Sequence, residues 1–188
     1  MKVVGISASP RRSGNSEIML NRALEGSASS GALVEKIVLN ELDLKPCQEC
    51  GGCDKTGRCV IRDDMDQIYD KLDKADACII ASPIFFASVS AQAKMMIDRF
   101  QCFWVSKYIL KDKPPAKKRR GAFLSVAGSY RKEHFDNAKG VIKAFFATLD
   151  IEYAGELFCG GIDKTADIDR DTETLNKAYK LGKELVIK

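Results

Sequence analysis

The stretch Lys2-Val-Val-Gly-Ile-Ser-Ala-Ser-Pro-Arg-Arg-Ser-Gly-Asn-Ser16 decides the reading of the fold. A short apolar run, Lys2 to Ser7, has the length and composition of a buried strand, and Leu20, Ala23 and Leu24 then fall at helical spacing. The small polar loop between them opens directly onto the helix. Hydroxyls at Ser9, Ser13 and Ser16, the Asn15 amide and backbone N–H groups around Pro10 and Gly14 make a site for a phosphate dianion, with Arg11 or Arg12 adding charge. An ordinary polar turn with Ser13 or Asn15 as N-cap reads the same residues. Neither G-x-x-x-x-G-K-[ST] nor G-x-G-x-x-G occurs, which disfavours a P-loop enzyme and a dinucleotide-binding dehydrogenase. The phosphate reads as that of a mononucleotide.

Outward from this unit the pattern repeats. Apolar runs at Leu33 to Leu39, Ala77 to Ala81, Gly121 to Val126 and Glu152 to Cys159 read as further strands. Helical periods lie between them, carried by Met65, Ile68, Tyr69 and Leu72; by Met96, Ile97, Phe100 and Trp104; by Ile142, Phe145, Phe146 and Leu149; and by a last helix over Thr172 to Ile187. Five βα units predict an α/β protein of three layers, a doubly wound five-stranded parallel sheet of order 2-1-3-4-5 with right-handed crossovers. The chain is 188 residues long and has no internal linker, so residues 1–188 read as one domain. Apolar residues at 45% and charged residues at 30% exclude a disordered, collagen-like or membrane-spanning chain. No apolar run approaches the about 20 residues that span a bilayer, and the start reads straight into a strand, which predicts a cytoplasmic protein without a membrane association. A net charge of +4 carries no nucleic-acid signal. The basic excess concentrates in Lys111 to Arg120, read as a solvated loop or as a contact for a phosphate-bearing partner such as NADPH.

In such a sheet ligands bind beyond the carboxyl ends of the strands, where strand order reverses. The loop after the third strand reads Ser82-Pro83-Ile84-Phe85-Phe86, and two adjacent surface aromatics are costly unless something flat covers them. An isoalloxazine ring fits that need; helix packing or a subunit interface is the other reading. With the phosphate loop on strand one, the position matches the switch point at which flavodoxin-like folds hold FMN. The loop after strand two holds Cys47-x2-Cys50-x2-Cys53-x5-Cys59. Its close spacing, with Gly51, Gly52 and Gly57 easing the wrap of the backbone, favours a [4Fe-4S] cluster over zinc, whose structural sites bring two separated ligand pairs. A dithiol or disulfide role stays open.

The Ser9-Pro-Arg-x-x-Gly-Asn-Ser16 loop, Ser82-Pro-Ile-Phe-Phe86, Lys94…Ile97-Asp-Arg99 and the cysteine loop ending Cys59-Val-Ile-Arg-Asp-Asp-Met65 together resemble the NADPH-dependent FMN reductase superfamily, in its iron–sulfur flavoprotein branch. The resemblance implies a flavodoxin-like fold, noncovalent FMN, oxidoreductase or electron-transfer activity, and a homodimer or homotetramer. NAD(P)H or a ferredoxin would be the redox partner. By the same resemblance Ser9, Arg11, Asn15 and Ser16 hold the FMN phosphate and Pro83 to Phe86 line ribityl and ring, with Ala127 and Gly128 of the fourth-strand loop nearby. Phe85 stands where such proteins often carry tyrosine, and Val126-Ala-Gly-Ser129 where a Gly-Gly pair is common. Elsewhere, Asp63 and Asp64 read as caps of the second helix, His134 as a lone histidine, and Cys78, Cys102 and Cys159 as small buried hydrophobes. The aromatic segment Phe100 to Trp104 reads as an exposed oligomerisation surface.

Overall fold

The sheet is parallel throughout and ordered β2-β1-β3-β4-β5, as the alternation predicts. Its strands are β1 (Lys2–Ser7), β2 (Leu33–Val38), β3 (Ala77–Pro83), β4 (Arg119–Val126) and β5 (Ile151–Cys159), in a computed structural model that describes residues 1–112 and 118–187. Every residue of β3 is buried, because helices cover both faces of a central parallel strand. On one face α1 (Asn15–Ser29) and the last helix, α6 (Thr172–Val186), bury Met19, Leu20, Leu24 and Leu185 against Val3, Ile79 and Leu124. On the other, α2 (Met65–Asp73), α3 (Ala91–Arg99) and α5 (Lys132–Thr148) pack Ile68, Leu72, Met96, Ile142 and Phe145 on Ile6, Ile80 and Phe123. Among the described residues no helix is long and apolar enough to cross a membrane.

The α1–α6 contact needs two glycines. A Cβ at Gly182 would stand 1.8 Å from the Ala23 carbonyl oxygen, and one at Gly26 would stand 2.0 Å from that of Tyr179. The backbones therefore touch, and buried Ser27 donates from Oγ to the Gly182 carbonyl at 2.9 Å.

Three expectations are corrected. The third helix is not continuous: α3 ends at Arg99, a separate turn α4 (Gln101–Trp104) follows, and Val105–Leu110 widens into a π-helical turn. The apolar period survives this change of winding, so the spacing of Met96, Phe100 and Trp104 could not show it. Phe100 is not part of an exposed surface, since it is 1% exposed and packs edge-on to Tyr69 and Phe145. Trp104, Tyr108 and Ile109 are the exposed members of that region. Finally, the basic run is not one solvated loop. Arg119 and Arg120 begin β4 and bond helix-terminal carbonyls, Arg119 those of Leu72 (2.9 Å) and Leu149, and Arg120 that of Glu184 (2.7 Å). Cations there satisfy orphan carbonyls and complement the helix dipoles. Lys113 to Lys117 lie outside the described residues.

Candidate functional site

At the carboxyl edge of the sheet the loops after β1, β3, β4 and β5 enclose a pocket of about 160 Å³. Ser9, Arg11, Gly14, Asn15 and Ser16 line it from the first loop, Pro83, Ile84 and Phe85 from the second, and Ala127 and Gly128 from the third. The sequence reading missed Ile162, Asp163 and Thr165, supplied by the loop after β5. The signal for that loop was Gly160-Gly161, which turns the chain back at the strand end with Gly161 at φ +75°.

The first loop is preorganised. The Arg11 N–H bonds Ser9 Oγ at 3.0 Å, Gly14 occupies the N-cap position of α1 without a side-chain cap, and Ser13 sits at φ +52°. Neither Ser13 nor Asn15 is therefore the N-cap. The first-turn N–H groups of α1 point out of the helix end, where an anion is stabilised. Glu17, also in this turn, would repel such an anion were it not paired. Burial opposes its ionisation, but hydrogen bonds from Lys36 (2.9 Å) and the Ser13 N–H (2.8 Å) outweigh burial and hold the carboxyl below its usual range. The Asn15 amide is engaged within the fold: it donates to the Lys164 carbonyl at 2.8 Å and its Oδ1 accepts from the Ile168 N–H at 3.2 Å. Asn15 thus ties the β1 loop to the β5 loop across the pocket, as does Arg11, which donates to the Asp163 carbonyl at 3.0 Å.

Ser82 is fully buried, and its Oγ serves the framework, accepting from the Ser90 N–H at 2.9 Å and donating to the Pro83 carbonyl at 2.9 Å. Ser90 caps α3 by accepting from the Ala93 N–H and donates to the Ala8 carbonyl at 2.6 Å, fixing the start of that helix beside the β1 loop. Phe85 and Ser88 exchange two backbone hydrogen bonds, so Phe86 and Ala87 form a two-residue hairpin tip at φ +47° and +59°. Left-handed backbone costs a residue with a Cβ about 1–2 kcal/mol. The Phe86 ring lies wholly in solvent, and neither it nor Pro10 nor Ser13 lines the pocket.

The cysteine loop departs from β2 at that same edge, where Asn40 bonds the Pro10 carbonyl at 3.2 Å. It then travels to the far end of α3. Cys47, Cys50, Cys53 and Cys59 line one pocket of about 300 Å³ with Arg99, Gln101 and Cys102. The two pockets share no lining residue, and the nine residues of α3, about 14 Å of helix, lead from one to the other. Starting from the same strand edge as the β1 loop therefore does not bring the cysteines to it. Among the described residues the seven cysteines are free thiols, and no group of three or more His, Cys, Asp or Glu side chains is gathered closely enough to hold a metal ion. Gly51 and Gly57 take φ +68° and +64° within the loop, so the backbone does wrap through conformations that glycine adopts without strain. Burial, and then the charge of Asp54 and of the neighbouring thiols Cys59 and Cys47, push the Cys53 thiol up.

Asp63 is not simply a helix cap. It accepts from the Met65 N–H at 3.1 Å, but its main partner is Arg99, bonded at 2.5 and 3.2 Å with both side chains buried. Asp64 instead fixes the Asp43 N–H at 2.8 Å. Cys102, read as a small hydrophobe, is buried but lines the cysteine pocket. Cys78 is buried in β3, where burial pushes its thiol up to about 12. Half-buried Cys159 closes β5, and His134 lies in the first turn of α5, away from the pocket.

An iron-sulfur flavoprotein of Methanocaldococcus jannaschii is 46% identical over 99 residues, covering 53% of this chain and 51% of that protein. One from Methanosarcina thermophila is 38% identical over 129 residues, covering 69% and 64%. The chain thus spans between about half and two thirds of the length of these relatives. Among solved structures, the NAD(P)H:quinone oxidoreductase from Methanothermobacter marburgensis superposes with a TM-score of 0.72 at 18% identity, covering 98% of this chain and 96% of that one. A flavone reductase gives 0.74 at 22% identity, covering 99% and 62%. These two likenesses establish the flavodoxin-like fold. The family model described as NADPH-dependent FMN reductase matches residues 1–151, most of the chain and every strand up to the start of β5, and the chain belongs to that family.

Proposed function

We propose that this chain is an FMN-dependent oxidoreductase, a soluble cytoplasmic protein that exchanges electrons with NAD(P)H or a ferredoxin and carries a [4Fe-4S] cluster on Cys47, Cys50, Cys53 and Cys59. One observation carries the flavin reading: a helix N-terminus without a side-chain cap, the aromatic Phe85 of the β3 hairpin and the Ala127–Gly128 segment meet in a single pocket at the switch point of the sheet. The first-turn N–H groups of α1 with the Ser9 and Ser16 hydroxyls would hold the phosphate, and Arg11 would add charge. Pairing of Glu17 with Lys36 weakens one nearby repulsion. Phe85 and Phe86 would shield the ring from water, and a pocket of this modest volume, open beside an exposed Phe86, fits completion by a second subunit of a homodimer or homotetramer.

The cysteine pocket fits the cluster in donor type and number: the loop brings four thiols to it, with a fifth from Cys102, a close-wrapping glycine backbone and the buried cation of Arg99 among its walls. When bound, FMN would supply two-electron chemistry and the cluster single-electron transfer. The relatives' name, iron-sulfur flavoprotein, supports the pairing. The test is anaerobic purification followed by denaturation. Released FMN with about four iron and four sulfide per chain, in a protein that oxidises NAD(P)H or reduced ferredoxin, is the expected result. FMN without iron leaves a flavin-only NAD(P)H-dependent FMN or quinone reductase. A colourless zinc protein overturns the reading in favour of a binding or sensor module.

A further inference from the structure

Arg99 ends α3 with its side chain 0% exposed, and four of its five N–H donors are accounted for. One terminal nitrogen bonds the Lys45 carbonyl at 2.8 Å and Asp63 Oδ2 at 2.5 Å. The other bonds the Ile61 carbonyl at 3.2 Å and Asp63 Oδ1 at 3.2 Å. Lys45 lies two residues before Cys47 and Ile61 two residues after Cys59, so one guanidinium joins both feet of the cysteine loop. The fifth donor, Nε–H, is buried and has no hydrogen-bond partner among the described residues. A buried donor left unmade is costly, and native structures keep few of them. Arg99 and Cys59 line the same pocket, and the groups that act on the Arg99 charge include Cys59, Asp63, already bonded, and the Tyr69 hydroxyl, which donates to the Arg99 carbonyl at 2.8 Å.

We propose that Arg99 is the positioning residue of the cysteine pocket, clamping both feet of the loop and donating its remaining Nε–H to the Cys59 sulfur when that sulfur is a ligand. The inference rests on the cluster reading for the role of the sulfur, while the clamp is a property of the protein alone. Asp63 holds the guanidinium in plane and balances its charge, so the donor is delivered without an unpaired buried cation. Hydrogen bonds to ligand sulfur stabilise the more negative, reduced form of a cluster and raise its potential.

Two arms test this. Reduced, metal-free protein labelled with ¹⁵N-arginine should show a protected Arg99 Nε–H resonance that shifts in Cys59→Ala, holds its place in Cys50→Ala, and shifts in the wild type on reconstitution with iron and sulfide. A resonance indifferent to Cys59→Ala overturns the proposal whether or not a cluster forms. If wild-type protein never takes up a cluster while the resonance still responds to Cys59→Ala alone, the cluster reading fails and the Arg99–Cys59 contact stands. In the second arm Arg99→Lys keeps the charge opposite Asp63 but loses the fork and Nε–H. It should lose its reconstituted cluster several-fold faster than wild type and show a lower cluster midpoint potential, with FMN affinity within twofold. Wild-type lifetime and potential in this variant overturn the proposal. Should the variant fail to fold, the resonance arm decides alone.

Discussion

Replacing Asn15 by alanine separates two roles that the first loop combines. The wild-type amide donates to the Lys164 carbonyl and accepts from the Ile168 N–H, and Ile168 is 0% exposed. Lys164 keeps a second partner, since its carbonyl also accepts from the Asp167 N–H at 3.2 Å. Among the described residues the Ile168 N–H has no other acceptor, so the substitution strands a buried donor, which costs about 1–3 kcal/mol, and forfeits a second bond worth about 0.5–1.5 kcal/mol. The expected loss is about 2–4 kcal/mol. For a chain of this size each kcal/mol moves Tm by about 2–4 °C, so Tm should fall by roughly 4–16 °C in the flavin-free protein. Calorimetry of flavin-free wild type and Asn15→Ala measures this directly, and FMN affinity should fall only as far as the β5 loop withdraws from the pocket. An unchanged midpoint with a large loss of FMN affinity would refute the reasoning, and would make the amide a phosphate ligand rather than a tie between loops.

Other expectations follow from the same geometry. Gly182→Ala drives a methyl group into the Ala23 carbonyl and should destabilise the protein by about 1–3 kcal/mol or more, seen as a lower denaturation midpoint at unchanged slope. Ala87→Gly relieves a left-handed residue at the hairpin tip and should stabilise the flavin-free protein by about 1 kcal/mol; a destabilised variant would mean that the tip is unstrained. Burial opposes ionisation of Asp63, but hydrogen bonds from Arg99 and from the Lys45 and Met65 N–H groups outweigh it and hold the carboxyl below its usual range. Its folded value lies below the unfolded one, so the stability it contributes is fully present at neutral pH and is lost as pH falls through the folded value. Asp63→Asn should therefore weaken the protein by several kcal/mol at pH 7 and flatten the acid limb of its stability profile, whereas an unaltered limb would exclude this pair as its source.

The sheet was legible because each strand is a short apolar run closed by a polar or glycine-bearing loop, and the order of βα units leaves few topologies. What escaped was whatever depends on partners distant in sequence. Arg119 and Arg120 sit in a run of lysines and prolines that reads as solvated, and the carbonyls they bond lie 30 to 67 positions away. Asn15 has the composition of a phosphate ligand, while the acceptor and donor that engage its amide are 149 and 153 positions on. Asp63 looked like a cap because capping is local; its pairing with Arg99 spans 36 positions. Cys102 follows Arg99 by three residues, the spacing that puts two helical side chains on one face. Only the fold brings that face against the cysteine loop.

The central claim is that the carboxyl-edge pocket recognises a flavin through its phosphate as well as its ring. The most direct measurement is a fluorescence titration of flavin-free protein with FMN and, in parallel, with riboflavin, which has the same ring and no phosphate. Two charge-assisted hydrogen bonds from the α1 terminus at about 1.5–3 kcal/mol each, with tenfold in affinity per about 1.4 kcal/mol, predict that FMN binds roughly 100-fold to 10,000-fold more tightly. Equal affinities for the two flavins, or binding of neither, would contradict the account.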